Sequence, residues 1–581
     1  MKPLLRFFTR FLRHKRQLLA GFACIPLAQL ADIGITVVIG TALDRLQKGE
    51  PADFLPGLFG IILGLSLCKG LFRYLQRWWI VAVSRYVEIE LKQELFDKLV
   101  SLPLSFHVKS RSGDVVSRVT SDVENIRMFL GPGVMYTLGA VVMVPASIAL
   151  LFTHNATLAL TMLLPLGLMA LGMKFFTPRL HTWSEAVQES IADLSARAQE
   201  NFSGIRVVKG YGREQEQARR FEAASARNRA NQIELGRARG LTHALTHAAN
   251  DSTFVVILVI GGWAMIDRDL PAGQLFQFID LTFKVFWPLI ALGWIAGMYP
   301  RALASARRIE ELLNERNPVQ DPLAPRPAQP VRGEWELSSL SYTYPGAARP
   351  AFQGVSVRVR AGGSLGIVGP TGAGKTTLLL CLCRMLEAQG EARLDGVAIP
   401  LWRLRELRAA LGYVPQDSFL FSDTWRANVE FGADAPLGEE RIRELARLCA
   451  MDGELAGFPD GIETRIGERG VTLSGGQRQR TAIARALARD PRVLVLDDAL
   501  SAVDTETEAR LLATIQGQSA HRTVILAAHR LSSVQRADQI LVLGRDGRVE
   551  AQGTHAELLA QPGWYRETWQ RQQAQSELAR L

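Results

Sequence analysis

The sequence predicts a membrane α-helical bundle of six spans with long cytosolic extensions, followed by a cytosolic α/β P-loop domain. Three observations lead there. Long apolar runs end near Arg301, short β-type runs separated by turns begin after Pro318, and one of these opens onto a glycine-rich loop at Gly369–Thr376. The chain has 581 residues, 48% hydrophobic and 21% charged, so it holds several domains' worth of sequence and is too apolar to be disordered. Its mean hydropathy of +0.07 averages two unlike halves. The division is expected at 1–317 for the membrane part, 318–330 for a Pro-rich linker and 331–581 for the soluble part.

A hydrocarbon core about 30 Å thick needs about 20 apolar residues of helix. Six stretches qualify: Leu18–Leu43, Phe54–Val83, Met128–Thr153, Ala156–Phe176, Thr253–Ile266 and Leu275–Met298. The fifth is the shortest and is expected to begin earlier, near Leu241. Lysine and arginine set the orientation. The linkers Arg85–Arg127 and Lys174–Arg239 are rich in both, Thr153–Asn155 has neither, and 267–269 has one arginine. The long linkers and the N-terminus are therefore cytoplasmic, and an even span count returns the chain there. The expected location is the plasma (inner) membrane, with a lipid bilayer as the first partner.

The long linkers carry apolar residues at three- and four-residue spacing, which predicts helices that continue the spans into water, with reversals at Gly113 and Gly204. The net charge is +10. Lys2, Arg6, Arg10, Arg13, Lys15 and Arg16 alternate with Leu and Phe, which favours an amphipathic helix on the inner leaflet over a nucleic-acid arm. No nucleic-acid partner is expected. The apolar run after Arg16 is too long for a signal-peptide core. Five scattered cysteines make neither a disulfide framework nor a zinc site, and packing is their expected role.

Ionisable residues inside spans are costly and mark functional candidates. Lys69, Arg73 and Arg77 recur every four residues, Asp280 and Lys284 form an i,i+4 pair, and Asp32 lies in the first span. Two readings stay open: a polar cavity with a preference for an anionic group, or snorkelling with internal ion pairs.

In the soluble half, Gly369-Pro370-Thr371-Gly372-Ala373-Gly374-Lys375-Thr376 has the pattern G-x-x-x-x-G-K-[ST] and precedes Thr377 and an apolar helix. The run Leu365–Val368 precedes it, giving the strand–loop–helix context of a phosphate loop for ATP. Backbone N–H groups and the helix N-terminus favour phosphate, Lys375 adds a point charge, and the Thr376 hydroxyl suits Mg²⁺. A second string, Val493–Leu496 followed by Asp497 and Asp498, reads as a buried strand delivering two carboxylates. Asp497 is expected to hold Mg²⁺, and Asp498 to face the γ-phosphate. Ser474, Gly475, Gly476 and Gln477 then open a further helix, making a second anion-binding N-terminus. One ATP has no need of two cradles on one chain, which suggests a dimer.

Taken together, these strings resemble those of ABC exporter half-transporters over nearly the whole chain. LPLSFHVKSRSGDVVSRVTSDVENI and ENFSGIRVVKGYGRE are similar to the coupling-helix regions of these exporters. The resemblance implies that Tyr344 stacks on adenine, Gln416 links Mg²⁺ to the coupling helices, Glu468 touches those helices, Asp504 is the D-loop aspartate and His529 contacts the γ-phosphate. It also implies ATP sandwiched between the phosphate loop of one subunit and LSGGQ of the other. The sequence departs from the family at Asp498, where glutamate is usual. A misplacement of about 1 Å can cost on the order of a hundredfold in rate, so this site is expected to bind ATP well and hydrolyse it weakly. The departure resembles the degenerate-site subunit of heterodimeric exporters, with the competent glutamate on a different partner chain. The implied function is ATP-driven export of a drug, lipid or peptide-like small molecule. A homodimeric exporter, an importer on the same fold and an ATP-gated channel or regulatory subunit remain as alternatives.

Overall fold

The computed structural model describes residues 2–267, 270–326, 329–467, 473–517 and 522–578. The chain divides into two compact units, Met1–Val100 with Gly113–Asn314, and Ser101–Ser112 with Glu315–Leu581. Arg268 and Asp269, in the short loop after the fifth span, lie outside the described residues, as does Glu468.

The expected spans match the helices Lys15–Gln47, Leu55–Ser101, Val134–His154, Ala156–Ser203, Glu214–Ile266 and Ala272–Asn314, except that Phe54 precedes the second and that the third, expected from Met128, begins in the helix Val123–Met128 and the π-helical turn Phe129–Gly133. The longest has 53 residues, far beyond what a bilayer requires, so helical structure extends well past the apolar segments. Five helices among the described residues are long and apolar enough to cross a membrane. The fourth expected span lies in Ala156–Ser203, several of whose side chains are outside the described set. The fifth helix begins at Glu214, well before Leu241. Phe278 and Leu281 of the last helix are buried among Ile33, Met143, Leu151, Leu158, Met162 and Ile257. By contrast, the most apolar window of Ala52–Ser101 has no buried residue within the chain.

Two local expectations are corrected. Gly113 lies in the first turn of the helix Ser112–Ser117 and interrupts nothing. The breaks come at Leu102–Pro103, before the short helix Leu104–Lys109, and at Ser110–Arg111, just ahead of Gly113. Proline disfavours helical geometry in the residue before it and offers no N–H to continue the ladder. Gly204 does cap its helix, and the chain then turns through Ile205–Gly210 and Gly212, whose φ of 61° is left-handed. The second correction concerns the amphipathic helix Lys2–Phe11. Its apolar residues Leu4, Phe7 and Phe11 are buried against protein instead of lying on lipid, and it packs on Ala272–Asn314. Arg6 pairs with Glu310 at 3.6 Å, and Arg10 with Glu94.

The second unit holds two sheets. Strands β1 (Trp335–Tyr342), β2 (Phe352–Val359), β3 (Ser364–Val368), β4 (Gln389–Leu394), β5 (Val397–Ala398), β6 (Leu411–Val414), β7 (Val493–Asp497), β8 (Thr523–Ala527), β9 (Gln539–Leu543) and β10 (Val549–Gly553) follow in chain order. The antiparallel sheet runs β2-β1-β4-β5, and the larger sheet β10-β9-β3-β8-β7-β6. In the larger sheet β9, β3, β8, β7 and β6 are parallel and only β10 is antiparallel. All five residues of β7 and of β8 are buried, as expected for a parallel strand covered on both faces.

Candidate functional site

Because β3, β8, β7 and β6 are adjacent and parallel, whatever follows each of them emerges at one edge of the sheet. The loop Gly369–Gly374 follows β3, Asp498 follows β7, His529 follows β8 by two residues and Gln416 follows β6 by two. Four strings far apart in sequence are thus brought together by strand order.

The phosphate loop is shaped by its glycines. Gly372 and Gly374 have φ of 83° and 88°, a region costly for residues with a side chain. A Cβ on Gly374 would also run into the backbone carbonyl of Ala351. The helix Lys375–Leu382 then starts with its first N–H groups beside the loop. Lys375 Nζ donates to the carbonyl oxygens of Gly369 at 2.8 Å and Pro370 at 3.1 Å. Burial holds its ammonium below the ordinary lysine value, opposed by the nearby charges of Asp498 and Asp497. A buried cation held mainly by carbonyls is well suited to an incoming polyanion.

Thr376 Oγ1 donates to Asp497 Oδ1 at 3.0 Å, joining the phosphate loop to the end of β7. Asp497 is 2% exposed, and its Oδ2 is buried without a hydrogen-bond partner among the described residues. Burial raises its carboxyl above the usual range, as does the Asp498 charge, against the opposing bond from Thr376. An orphaned buried carboxylate oxygen beside a hydroxyl is the donor set a hard cation takes, so these residues fit Mg²⁺. Gln416 is exposed, two residues past the end of the adjacent strand β6.

Asp498 adopts a left-handed φ of 46°. Its N–H donates to Ala527 O at 2.9 Å, and its Oδ1 accepts from the backbone N–H of His529 at 3.4 Å. Aspartate tolerates this conformation better than most side-chain-bearing residues.

Tyr344 lies just beyond β1, and its hydroxyl is 3.1 Å from Thr377 Oγ1. The residue is 41% exposed, and its ring meets Tyr342 edge-on at 5.0 Å. Ser474 caps the helix Gly475–Ala488 through a reciprocal pair: its Oγ accepts from Gln477 N at 3.2 Å and Gln477 Oε1 accepts from Ser474 N at 2.9 Å. Gly476 lies so close to Ala502 O that a Cβ would stand 2.9 Å from it. Asp504 Oδ1 accepts from Thr507 N at 2.9 Å, and bonds from Thr507 hold its carboxyl below the usual range.

One residue escaped sequence reasoning. Gln479, 6% exposed, donates from Nε2 to Asp498 O at 3.4 Å and to Ser501 Oγ at 3.2 Å, and accepts from Ala502 N at 3.0 Å. It ties the signature helix to the loop after β7. Its place in LSGGQRQR gave only a helical position, and no spacing rule points to a partner on another loop.

Comparison with known proteins extends the picture. The family described as ABC transporter transmembrane region matches residues 18–289, and that described as ABC transporter matches residues 352–501. The multidrug resistance-like ATP-binding protein MdlA of Escherichia coli strain K12 is 32% identical over 98% of this chain and 96% of its own length. An ATP-dependent lipid A-core flippase of Vibrio vulnificus is 28% identical over 96% of each chain. The solved structure of a bacterial Atm1-family ABC exporter with ATP bound aligns with a TM-score of 0.76 at 28% identity, covering 96% of this chain and 98% of that one.

Proposed function

The chain belongs to the ABC transporters as an exporter half-transporter, with one transmembrane region joined to one ATP-binding domain, and we propose that it forms half of a heterodimeric exporter. Family membership establishes an integral membrane protein in which ATP hydrolysis is coupled to transport, and ABC exporters work as dimers. The finer reading is of 1–317 as the transmembrane domain and 331–581 as the nucleotide-binding domain, the latter with the N-terminus on the cytoplasmic side of the inner membrane. The cargo is a small or amphipathic molecule.

The observation that carries the heterodimer is Asp498. It stands where the family places glutamate, on a stem one methylene shorter, with its carboxylate engaged by the His529 backbone. A carboxylate that must orient or deprotonate water acts only from within hydrogen-bond reach. Phosphoryl transfer depends on positioning and charge stabilisation, so a shortened reach weakens turnover more than binding. Lys375, Tyr344 and the loop amides retain what binding needs. Mg²⁺, held by Thr376, Asp497 and Gln416, would neutralise charge on the phosphates. The signature at Ser474–Gln477 would close over ATP bound by the partner, whose glutamate makes that second site competent.

Nucleotide then shifts the transporter between cavity orientations because the closed dimer has contacts the open one lacks. Hydrolysis at the competent site removes those contacts and resets the cycle.

The test is to purify the full-length chain alone and with a candidate partner carrying glutamate at the equivalent position, both in lipid nanodiscs. The reading expects weak ATPase from the chain alone, strong ATPase from the pair, and ATP-dependent uptake into inverted vesicles by the pair. A stable homodimer with vigorous ATPase would overturn it.

A further inference from the structure

Three helices of the membrane unit converge on one charge cluster, in which Asp32 is buried, Lys69, Asp280 and Lys284 are partly covered, and Arg73 is 55% exposed. Asp32, 4% exposed, accepts from Lys69 Nζ at 2.8 Å and lies 3.0 Å from Lys284 Nζ, while its second oxygen accepts from Arg73 at 3.3 Å. Lys284 also pairs with Asp280 at 2.8 Å and donates to Thr36 Oγ1 at 2.6 Å. Three cations therefore share two carboxylates. A fourth, Arg77, lies one helical turn beyond Arg73 and has no ion-pair partner among the described residues. Surplus positive charge at membrane depth is costly and calls for a counter-charge.

These groups border a cavity of about 400 Å³, lined in part by Asp32, Arg73, Gln76, Arg77, Lys284 and Trp287. Gln76 Oε1 is buried without a hydrogen-bond partner among the described residues. Oxygen and nitrogen of such an amide are interchangeable by a flip, which would turn its NH₂ towards an oxyanion. Trp287 is 68% exposed and offers an aromatic face, and most of the remaining wall is apolar or aromatic.

We propose that this cavity binds an amphipathic organic anion. Its carboxylate, sulfonate or phosphate meets Arg73 and Arg77, whose guanidinium forks match oxyanion geometry, and its apolar body lies along Trp287. A cationic amphiphile would enter a site already in positive excess with its only carboxylates occupied. The transport of this anion rests on the exporter reading above; its binding does not.

A pair of probes sharing one fluorophore tests the charge preference: dansyl taurine, ending in a sulfonate, and the dansyl amide of aminoethyltrimethylammonium. Binding to the full-length protein in phosphatidylcholine nanodiscs is followed by energy transfer from tryptophan. The sulfonate is expected to bind about tenfold more tightly than the ammonium, Arg77→Gln to remove most of that difference, and Arg77→Lys to keep much of it. Equal binding of the two, or tighter binding of the ammonium, overturns the proposal without any variant having to fold. An Arg77→Gln protein that discriminates as the wild type does overturns it as well. Discs containing phosphatidylglycerol separate the sources: competition identifies a lipid headgroup as the anion, and its absence a soluble one. Selective binding without ATP-driven uptake by the pair of this chain with its glutamate-bearing partner would count against the exporter reading and leave the anion site standing.

Discussion

The Asp498 carboxylate accepts a hydrogen bond from the backbone N–H of His529 at 3.4 Å, although 31 residues separate the two. The pairing follows from register: Asp497 lies opposite Ala527 where β7 and β8 run parallel. One strand ends in the carboxylates and its neighbour in the histidine segment, so each change at one is felt at the other.

Asp498→Glu is expected to raise ATP turnover at this chain's own site by about tenfold or more, because the longer stem restores reach. The left-handed backbone at this position opposes the gain by about 1 kcal/mol. Steady-state ATPase of the purified protein checks the outcome; an unchanged or lower rate would reject the geometric account.

Gln479→Leu removes three hydrogen bonds between the helix Gly475–Ala488 and the loop after β7, among them the one from Ala502 N. A loss of about 1–3 kcal/mol in stability is expected. Nucleotide affinity, measured with a fluorescent ATP analogue, should hold while kcat falls.

Tyr344→Ala should weaken nucleotide binding by about tenfold or more, from lost stacking worth about 1–3 kcal/mol, while Tyr344→Trp preserves it. Equal affinities for the alanine and tryptophan proteins would remove Tyr344 from the adenine pocket. Its hydroxyl bond to Thr377 is lost in both, which isolates the ring's part.

Cys381, Cys383 and Cys449 are buried, and burial pushes each thiol up to about 12. The sign is simple: a thiol raised in the folded state keeps its proton there, so between pH 7 and 9 it stays unreactive until the domain opens. N-ethylmaleimide followed by mass spectrometry should leave these three unmodified in the folded protein and label them in denaturant. Rapid labelling of folded protein at pH 8 would contradict their burial.

Asp32→Asn strips the shared carboxylate from Lys69, Arg73 and Lys284. Breaking a buried pair from one side costs about 3–5 kcal/mol, so the thermal midpoint in detergent should drop clearly. Adding Lys69→Met should recover part of the loss by removing one stranded charge.

Much of the site was legible because its chemistry is written in short contiguous strings. Gly369–Thr376 announces a phosphate loop by spacing alone, since backbone amides near one helix start do most of the work. Asp497 and Asp498 follow a run of apolar residues that can only be a buried strand end. Gln479 was not legible, because its role lies in reaching a loop some twenty residues away through the fold. Neither was the fate of Leu4, Phe7 and Phe11. An apolar helix face looks the same in sequence whether lipid or another helix covers it.

Local order along the chain was sufficient to specify the long helices, the strands and the glycine-rich loop, since hydropathy, periodicity and turn residues act over a few neighbours at a time. Which of those pieces meet was decided by packing in three dimensions. Only strand order placed Gly369, Gln416, Asp498 and His529 along one edge, and only helix packing gathered Lys69, Arg73 and Lys284 round Asp32 and Asp280. Contacts between distant segments depend on burial and register, which no short stretch of sequence contains.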